Sequence, residues 1–482
     1  MHLALIAKII GMLLMVFSIT MLPPVLVAWL YEDGLQLPFL TAFAITFAIG
    51  LILWMMFFRA RDELGVRDGF LVVTLFWTVL GLIGALPFLL ILKVSPTDAI
   101  FESMSGLTTT GASVLSGLDF MSPSLLYYRQ QLQWLGGMGV VVLAVAILPM
   151  LGVGGMQLYK AEIPGPMKEA KLTPRIAETA KALWYVYLTV TVACATGYWL
   201  AGMSVFDAIC HSFSTVSTGG FSTRDASMAA FDSAALDWVG SFFMFLSGAS
   251  FALMFAALRR GSIRTFFRDP EFRFYTGLMF CYFVLVSTVL WVSGTYAVPG
   301  ETLRHAAFQV ASFSTSTGLT STNAAGTWPA TIMVLLVFTS FIGGCAGSTT
   351  AGMKVVRAAL MLHQSLRELR RLVYPHGVFA LRFGRKTVND QVLQAVWGFI
   401  GVFVTIAVLL TLAMMATGMD LVTAFSAVAA SLNTLGVGIG GVATGFGHIP
   451  DVSKWLMCFA MLLGRLEIFT ILVLFTPMFW RQ

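Results

Sequence analysis

Four stretches of the sequence carry hydroxyl side chains that run into a glycine, each behind a short apolar run headed by an acid. The first reads DAIFESMSGLTTTGAS, from Asp98 to Ser113, and the second DAICHSFSTVSTGGFS, from Asp207 to Ser222. The third, ETLRHAAFQVASFSTSTGLTS, runs from Glu301 to Ser321, and the fourth, DLVTAFSAVAASLNTLGVG, from Asp420 to Gly438. The first two align without a gap, and the equivalent glycines are Gly111, Gly220, Gly318 and Gly436, spaced by 109, 98 and 118 residues. Roughly ten apolar residues are too few to span a bilayer and suit a helix that enters and stops midway. The acid at its start complements the positive end of the helix, and its free carbonyls then point inward, where they favour a cation. Glycine permits backbone conformations that turn successive carbonyls toward one axis. Four such strands would form a ring of oxygens replacing a cation's hydration shell. A lone Ser-Thr-Gly is ordinarily packing or loop; four in matched positions argue for a shared site.

Two further features could act on a cation. Gly343, Gly344, Gly347 and Gly352 fall within ten residues of an apolar run, and glycine destabilises a helix interior by about 1 kcal/mol relative to alanine. A broken segment is expected there, with close packing through small residues as the alternative. Arg465 and Glu467 lie near the middle of the last apolar run. A charge at that depth is a functional candidate. Two residues apart on a continuous helix they would face nearly opposite ways, so Arg465 is read as facing a permeation path, or else as part of an ion pair between helices. The glycines at 136, 137 and 139 and at 152, 154 and 155 are assigned to packing.

The elements that must position these residues are membrane helices. Of 482 residues 58% are hydrophobic and 11% charged, against about 25% charged in an ordinary soluble domain. A soluble fold is excluded. Apolar runs at 5–30, 37–58, 69–92, 125–153, 183–203, 238–258, 274–293, 329–353, 391–417 and 452–480 predict ten spans. The first is too long for a signal-peptide core and is read as a span. Lys and Arg alternate between the connections: 23 lie on one side and 5 on the other, with Arg465 inside the last run. The positive-inside rule places both termini in the cytoplasm. The opposite side carries twelve carboxylates, a bias that would concentrate cations. The net charge of +6 follows this topology and gives no nucleic-acid surface. Five scattered cysteines make no disulfide framework or zinc site. No nucleophile–base pair or Walker motif is present, so no enzymatic activity is expected.

These motifs resemble the Trk/Ktr superfamily of potassium transporters, in particular its TrkH/TrkG-type bacterial membrane subunits, over residues 69–480. The resemblance implies an all-α polytopic membrane protein with four parallel helix–pore-loop–helix repeats around one pseudo-fourfold pore, at 69–160, 161–265, 266–380 and 381–482. Two extra helices precede them at 1–68. It places a potassium filter on Thr109, Thr110 and Gly111; Thr218, Gly219 and Gly220; Ser316, Thr317 and Gly318; and Thr434, Leu435 and Gly436. None of the four matches the longer TVGYG of true potassium channels, which leaves fewer carbonyl rings. Family likeness also implies an intramembrane gating loop containing Gly343, Gly344, Gly347 and Gly352, with Arg465 projecting into the path below the filter. It implies potassium ions in the filter and no other cofactor. The lipid bilayer, a second copy of the chain and a cytosolic TrkA-type nucleotide-binding subunit are its implied partners, the last on the basic segment 354–390. The alternative activity is a proton- or sodium-coupled symporter. The implied location is a bacterial inner membrane.

Overall fold

The computed structural model describes residues 2–60, 65–142, 172–384 and 386–481. The chain opens with helices α1 (Leu3–Ile19) and α2 (Leu22–Leu30), nearly continuous across Thr20–Met21, and returns along α3 (Gln36–Met56). Gly11 and Gly50 mark the crossing of α1 and α3: a Cβ on Gly11 would sit 2.8 Å from the Gly50 carbonyl oxygen, and the reverse holds. Only glycine permits backbones to approach so closely, which is how helices associate where no hydrophobic effect drives them together.

Helices α4 (Val66–Ile83) and α5 (Leu86–Leu92), separated by Gly84-Ala85, lead into the short α6 (Pro96–Leu107), and α7 (Pro123–Val142) follows it. The next group is α8 (Leu172–Leu200), the short α9 (Val205–Ser217), then α10 (Ala234–Ser247) and α11 (Phe251–Arg260). The third is α12 (Pro270–Val292), α13 (Pro299–Ser314), α14 (Ala330–Ile342) and the amphipathic α15 (Val355–Val373). The last is α16 (Asp390–Ala416), α17 (Leu421–Leu432), α18 (Asp451–Arg465) and the single turn α19 (Phe469–Leu472). Otherwise all-α, the described residues include one two-residue hairpin, Arg382–Phe383 paired with Lys386–Thr387.

Among the described residues, six helices are long and apolar enough to cross a membrane, or eight if each bent pair is one span. Their outward faces carry large apolar side chains, among them Trp29, Trp199, Phe280, Trp291 and Trp397, a surface suited to lipid. The ten expected spans are therefore not all continuous helices. The run at 238–258 bends by 97° between α10 and α11, and the run at 452–480 by 107° after α18. The run at 329–353 gives only the 13-residue α14 before the chain leaves helix. The run at 125–153 is described only to Val142, and the glycines at 152, 154 and 155 lie outside the described residues. Two buried cores form: one joins α1–α7 to α15–α18, the other is built mainly from α8 to α14.

Candidate functional site

Helices α6, α9, α13 and α17 end alike. The N–H of Thr110 donates to Ser105 O, Gly219 to Ser214 O, Thr317 to Ser312 O and Leu435 to Ala430 O, each at 2.8 Å. One residue earlier, Thr109 donates to Gly106 O, Thr218 to Thr215 O, Ser316 to Phe313 O and Thr434 to Ser431 O, at 3.0–3.2 Å. This pair of bonds is the Schellman closure of a helix, which needs a left-handed residue and usually takes glycine for it. Here Thr109, Thr218, Ser316 and Thr434 occupy that place with φ of 55°, 55°, 52° and 49°. Two residues on, Gly111, Gly220, Gly318 and Gly436 are left-handed again, with φ between 73° and 82°. The alternation turns the chain upward from each helix end as an extended strand.

The four strands form a closed ring. A Cβ on Gly111 would strike the carbonyl oxygen of Gly219, one on Gly220 that of Thr317, one on Gly318 that of Leu435, and one on Gly436 that of Thr110. Each glycine thus makes room for the backbone oxygen of the next strand, and the fourth contact returns to the first. All twelve expected residues are brought together. Behind the strands, the hydroxyls of Thr108 and Thr110 pair at 2.8 Å, and those of Thr315 and Thr317 at 2.7 Å. Above the glycines, side chains of the short helices hold the outgoing strand: Glu102 accepts from Ser113 and from Val114 N, His211 meets Ser222 at 3.0 Å, and His305 meets Ser321 at 3.0 Å. Sequence reasoning missed these three, although 102 and 211 hold the same place in the gapless alignment.

The acids at the helix starts serve less uniformly than their spacing suggests. Asp420 is the N-cap of α17, but in α6 and α9 the cap is Ser95 or Ser204, with Asp98 and Asp207 three residues on. The hydroxyl and amide of Thr423 both hydrogen-bond the Asp420 carboxylate and hold it below the usual carboxylate range. Four of the five cations on this side pair with its acids: Arg129 with Glu102, Arg224 with Asp119 and Asp207, Arg304 with Asp232 and Asp237, and Lys454 with Asp98 and Asp451.

Between α14 and α15 the chain makes a buried loop. Gly343, Gly347 and Gly352 have φ of 71°, 75° and 80°, and a Cβ on Gly344 would sit 2.6 Å from the Gly248 carbonyl. Cys345 N donates to Gly248 O and Phe251 N to Gly347 O, so the loop pairs with the break between α10 and α11. It also touches the ring segments: Thr349 Oγ1 donates to Val216 O at 3.1 Å, and Ala351 N to Ser316 Oγ at 3.3 Å. Arg465, 4% exposed, donates to Thr349 O at 2.9 Å and to Gly136 O at 3.2 Å. Loop and guanidinium thus meet beneath the ring. Helix α18 ends at Arg465, and Glu467 and Ile468 are left-handed, with φ of 53° and 27°. The continuous helix expected through both charges is therefore absent. Glu467 pairs with Arg357 of α15 at 2.7 Å, and Arg465 has carbonyl partners. The packing assigned to Gly136 holds, since a Cβ there would strike Leu107 O.

The family described as TrkH, a cation transport protein, matches residues 36–482. The chain is 52% identical over 484 residues to the Trk system potassium uptake protein TrkH of Halomonas elongata, covering 100% of each. It is 39% identical over 483 residues to the Trk system potassium uptake protein TrkG of Escherichia coli K12, covering 100% of this chain and 99% of that one. The crystal structure of the potassium transporter TrkH from Vibrio parahaemolyticus superposes with a TM-score of 0.93 at 50% identity, with full coverage of both chains. The chain belongs to the TrkH family of cation transport proteins.

Proposed function

We propose that this chain takes up potassium across a bacterial inner membrane, through a pore whose filter is the ring at Thr109–Gly111, Thr218–Gly220, Ser316–Gly318 and Thr434–Gly436. One observation carries the reading: four glycines, each facing the backbone carbonyl of the next strand, close into a ring. Carbonyls around one axis replace the water of a weakly hydrated cation. In this reading ten helices cross the membrane, with α7 and α14 completing the count and both termini in the cytoplasm. The four repeats fall at 69–160, 161–265, 266–380 and 381–482, after two added helices at 1–68. The loop at Gly343, Gly344, Gly347 and Gly352, with Arg465, restricts the path below the filter. The chain pairs with a second copy, and a TrkA-type nucleotide-binding subunit meets its basic cytosolic face. Arg367 already pairs with Asp390 and Arg371 with Glu368, so Arg370 is the better-placed contact.

The test is growth and cation uptake in a bacterial strain lacking its own potassium uptake. The chain should restore potassium accumulation at low external potassium, in preference to sodium. Equal uptake of both ions would overturn the filter. Flux that follows the membrane potential in proteoliposomes supports a channel-like pore; flux tied to a proton or sodium gradient overturns it in favour of a symporter.

A further inference from the structure

The ring is fourfold in backbone but not in side chains. The residue before the glycine is Thr110, Thr317 or Leu435 in three strands, and in the second it is Gly219. Gly219 is not left-handed, so its backbone does not require glycine. The space where its side chain would lie is filled from another helix. A Cβ on Gly219 would meet Gln133 of α7, whose Cδ, Oε1 and Nε2 are its three nearest atoms. The buried Gln133 donates through Nε2 to Gly219 O at 2.6 Å and accepts from Phe221 N at 3.1 Å. These two bonds fix which end of the amide is which. One turn earlier on α7, Arg129 donates to Ser222 O at 3.2 Å and lies 4.2 Å from the centre of the Phe221 ring. Its charge is neutralised by Glu102 at 2.6 Å. Positions i and i+4 share a helix face, so one face of α7 holds the second strand from behind, from Gly219 to Ser222.

We infer that Gln133 is a positioning residue of the filter, supplying from the first repeat the side chain that the second strand lacks, and that it sets cation preference by fixing the Gly219 carbonyl. The inference rests on the filter reading above. The amide donates to an oxygen that belongs to the ring. That bond restrains the oxygen from moving inward toward a smaller cation. Without it, position 219 has neither a side chain of its own nor a hydrogen bond on its carbonyl from behind, and a ring that can contract favours sodium.

The experiment measures potassium-to-sodium permeability ratios of the full-length protein in proteoliposomes. Gln133→Met keeps the volume and removes both hydrogen bonds; Gln133→Ala removes the volume as well. Both should lower the ratio by about three- to tenfold, the size of one to two neutral hydrogen bonds expressed as a ratio. Gly219→Thr combined with Gln133→Ala gives the second strand the threonine of the first and third, with its steric conflict removed. It should recover most of the lost preference, which a merely structural role for Gln133 does not predict. A wild-type ratio in inserted Gln133→Met protein overturns the inference, as does failure of the double variant to improve on Gln133→Ala. Loss of inserted protein in all three variants assigns Gln133 to folding and overturns it equally. Gly318→Ser, measured alongside, separates the two levels: if it changes the ratio while the Gln133 variants do not, the filter stands and this inference fails. If neither changes it, the filter reading itself fails.

Discussion

Thr109, Thr218 and Thr434 are β-branched residues in left-handed backbone, a conformation that disfavours them by about 1–2 kcal/mol each. Strain of this kind persists where surrounding bonds over-determine it and clusters at functional sites. Here each is held by two bonds to its helix end and by the glycine two residues on. The glycines were legible in the sequence, because four recur at matched places behind hydroxyl residues. The left-handed threonines were not, since nothing in their type announces that conformation. Gln133 was not either, because its partner lies 86 residues away. The ring makes Gly111 and Gly318 intolerant of any Cβ: replacement by Ser drives an atom into the neighbouring carbonyl. Either variant should reduce potassium preference over sodium about tenfold or more in flux assays while inserted protein stays near wild type; an unchanged ratio in both would sink the shared ring. Arg465 belongs to this scale too. A cation at ~6 Å in an effective dielectric of ~20 is repelled by about 3 kcal/mol, and water in the path reduces that figure. Arg465→Ala should therefore raise basal cation flux severalfold with selectivity retained. Abolished flux in inserted protein would show that its bonds to Thr349 and Gly136 are needed to hold an open path.

Helix breaks govern the next scale. The loop between α14 and α15 was legible from four glycines in ten residues. The break between α10 and α11 was not, because Gly248-Ala249-Ser250 interrupts an apolar run with a single glycine. The break after α18 contains neither glycine nor proline; Glu467 turns left-handed and reaches Arg357, so the pairing of a buried charge overrides helix propensity. The loop and the α10–α11 break hold each other through Cys345 N to Gly248 O and Phe251 N to Gly347 O. Gly344→Val places branched carbons where its Cβ alone is 2.6 Å from the Gly248 carbonyl. The loop must shift, and its bonds to Val216 and Ser316 beneath the ring loosen. Basal flux should rise several-fold, and thermal stability in detergent should fall by about 1–3 kcal/mol, the usual size of overpacking. A deletion within Gly343–Gly352 should raise flux further. Wild-type flux in both would remove the loop from the path.

At the scale of the whole molecule, the distribution of charge was the most legible feature, since 23 basic residues, Lys8 and Arg481 near the termini included, fall on one side of the expected spans and 5 on the other. What those five do was hidden. The sequence presents them as a small minority in an acidic surface, whereas four of them bind acids, and three of those four reach an acid in a different one of the proposed repeats: Arg224 to Asp119, Arg304 to Asp232 and Asp237, and Lys454 to Asp98. Arg304 of α13 holds Asp237 of α10 at 2.5 Å. Lys454 of α18 holds Asp98 of α6 at 2.6 Å, across 356 residues. That second pair ties α18 to the outer start of α6, linking segments that no covalent connection joins directly, and Lys454 is only 5% exposed there. Removing one member of a buried pair strands the other, at about 3–5 kcal/mol, whereas removing both is often neutral. Asp98 keeps 25% of its side-chain surface, so the penalty here falls at or below the lower end of that range. Lys454→Met should lower the stability of the detergent-solubilised protein by about 2–3 kcal/mol, and Lys454→Met with Asp98→Asn should restore at least half of it. Flux should follow stability, since the pair lies at the outer start of α6 and not at the ring itself. Were the double variant as unstable as the single, Lys454 would stabilise the protein through contacts other than Asp98. The join between the first and last pore segments would then rest on the packing of α6 against α18, the Gly436–Thr110 contact and the bond from Phe446 N to Ser113 O.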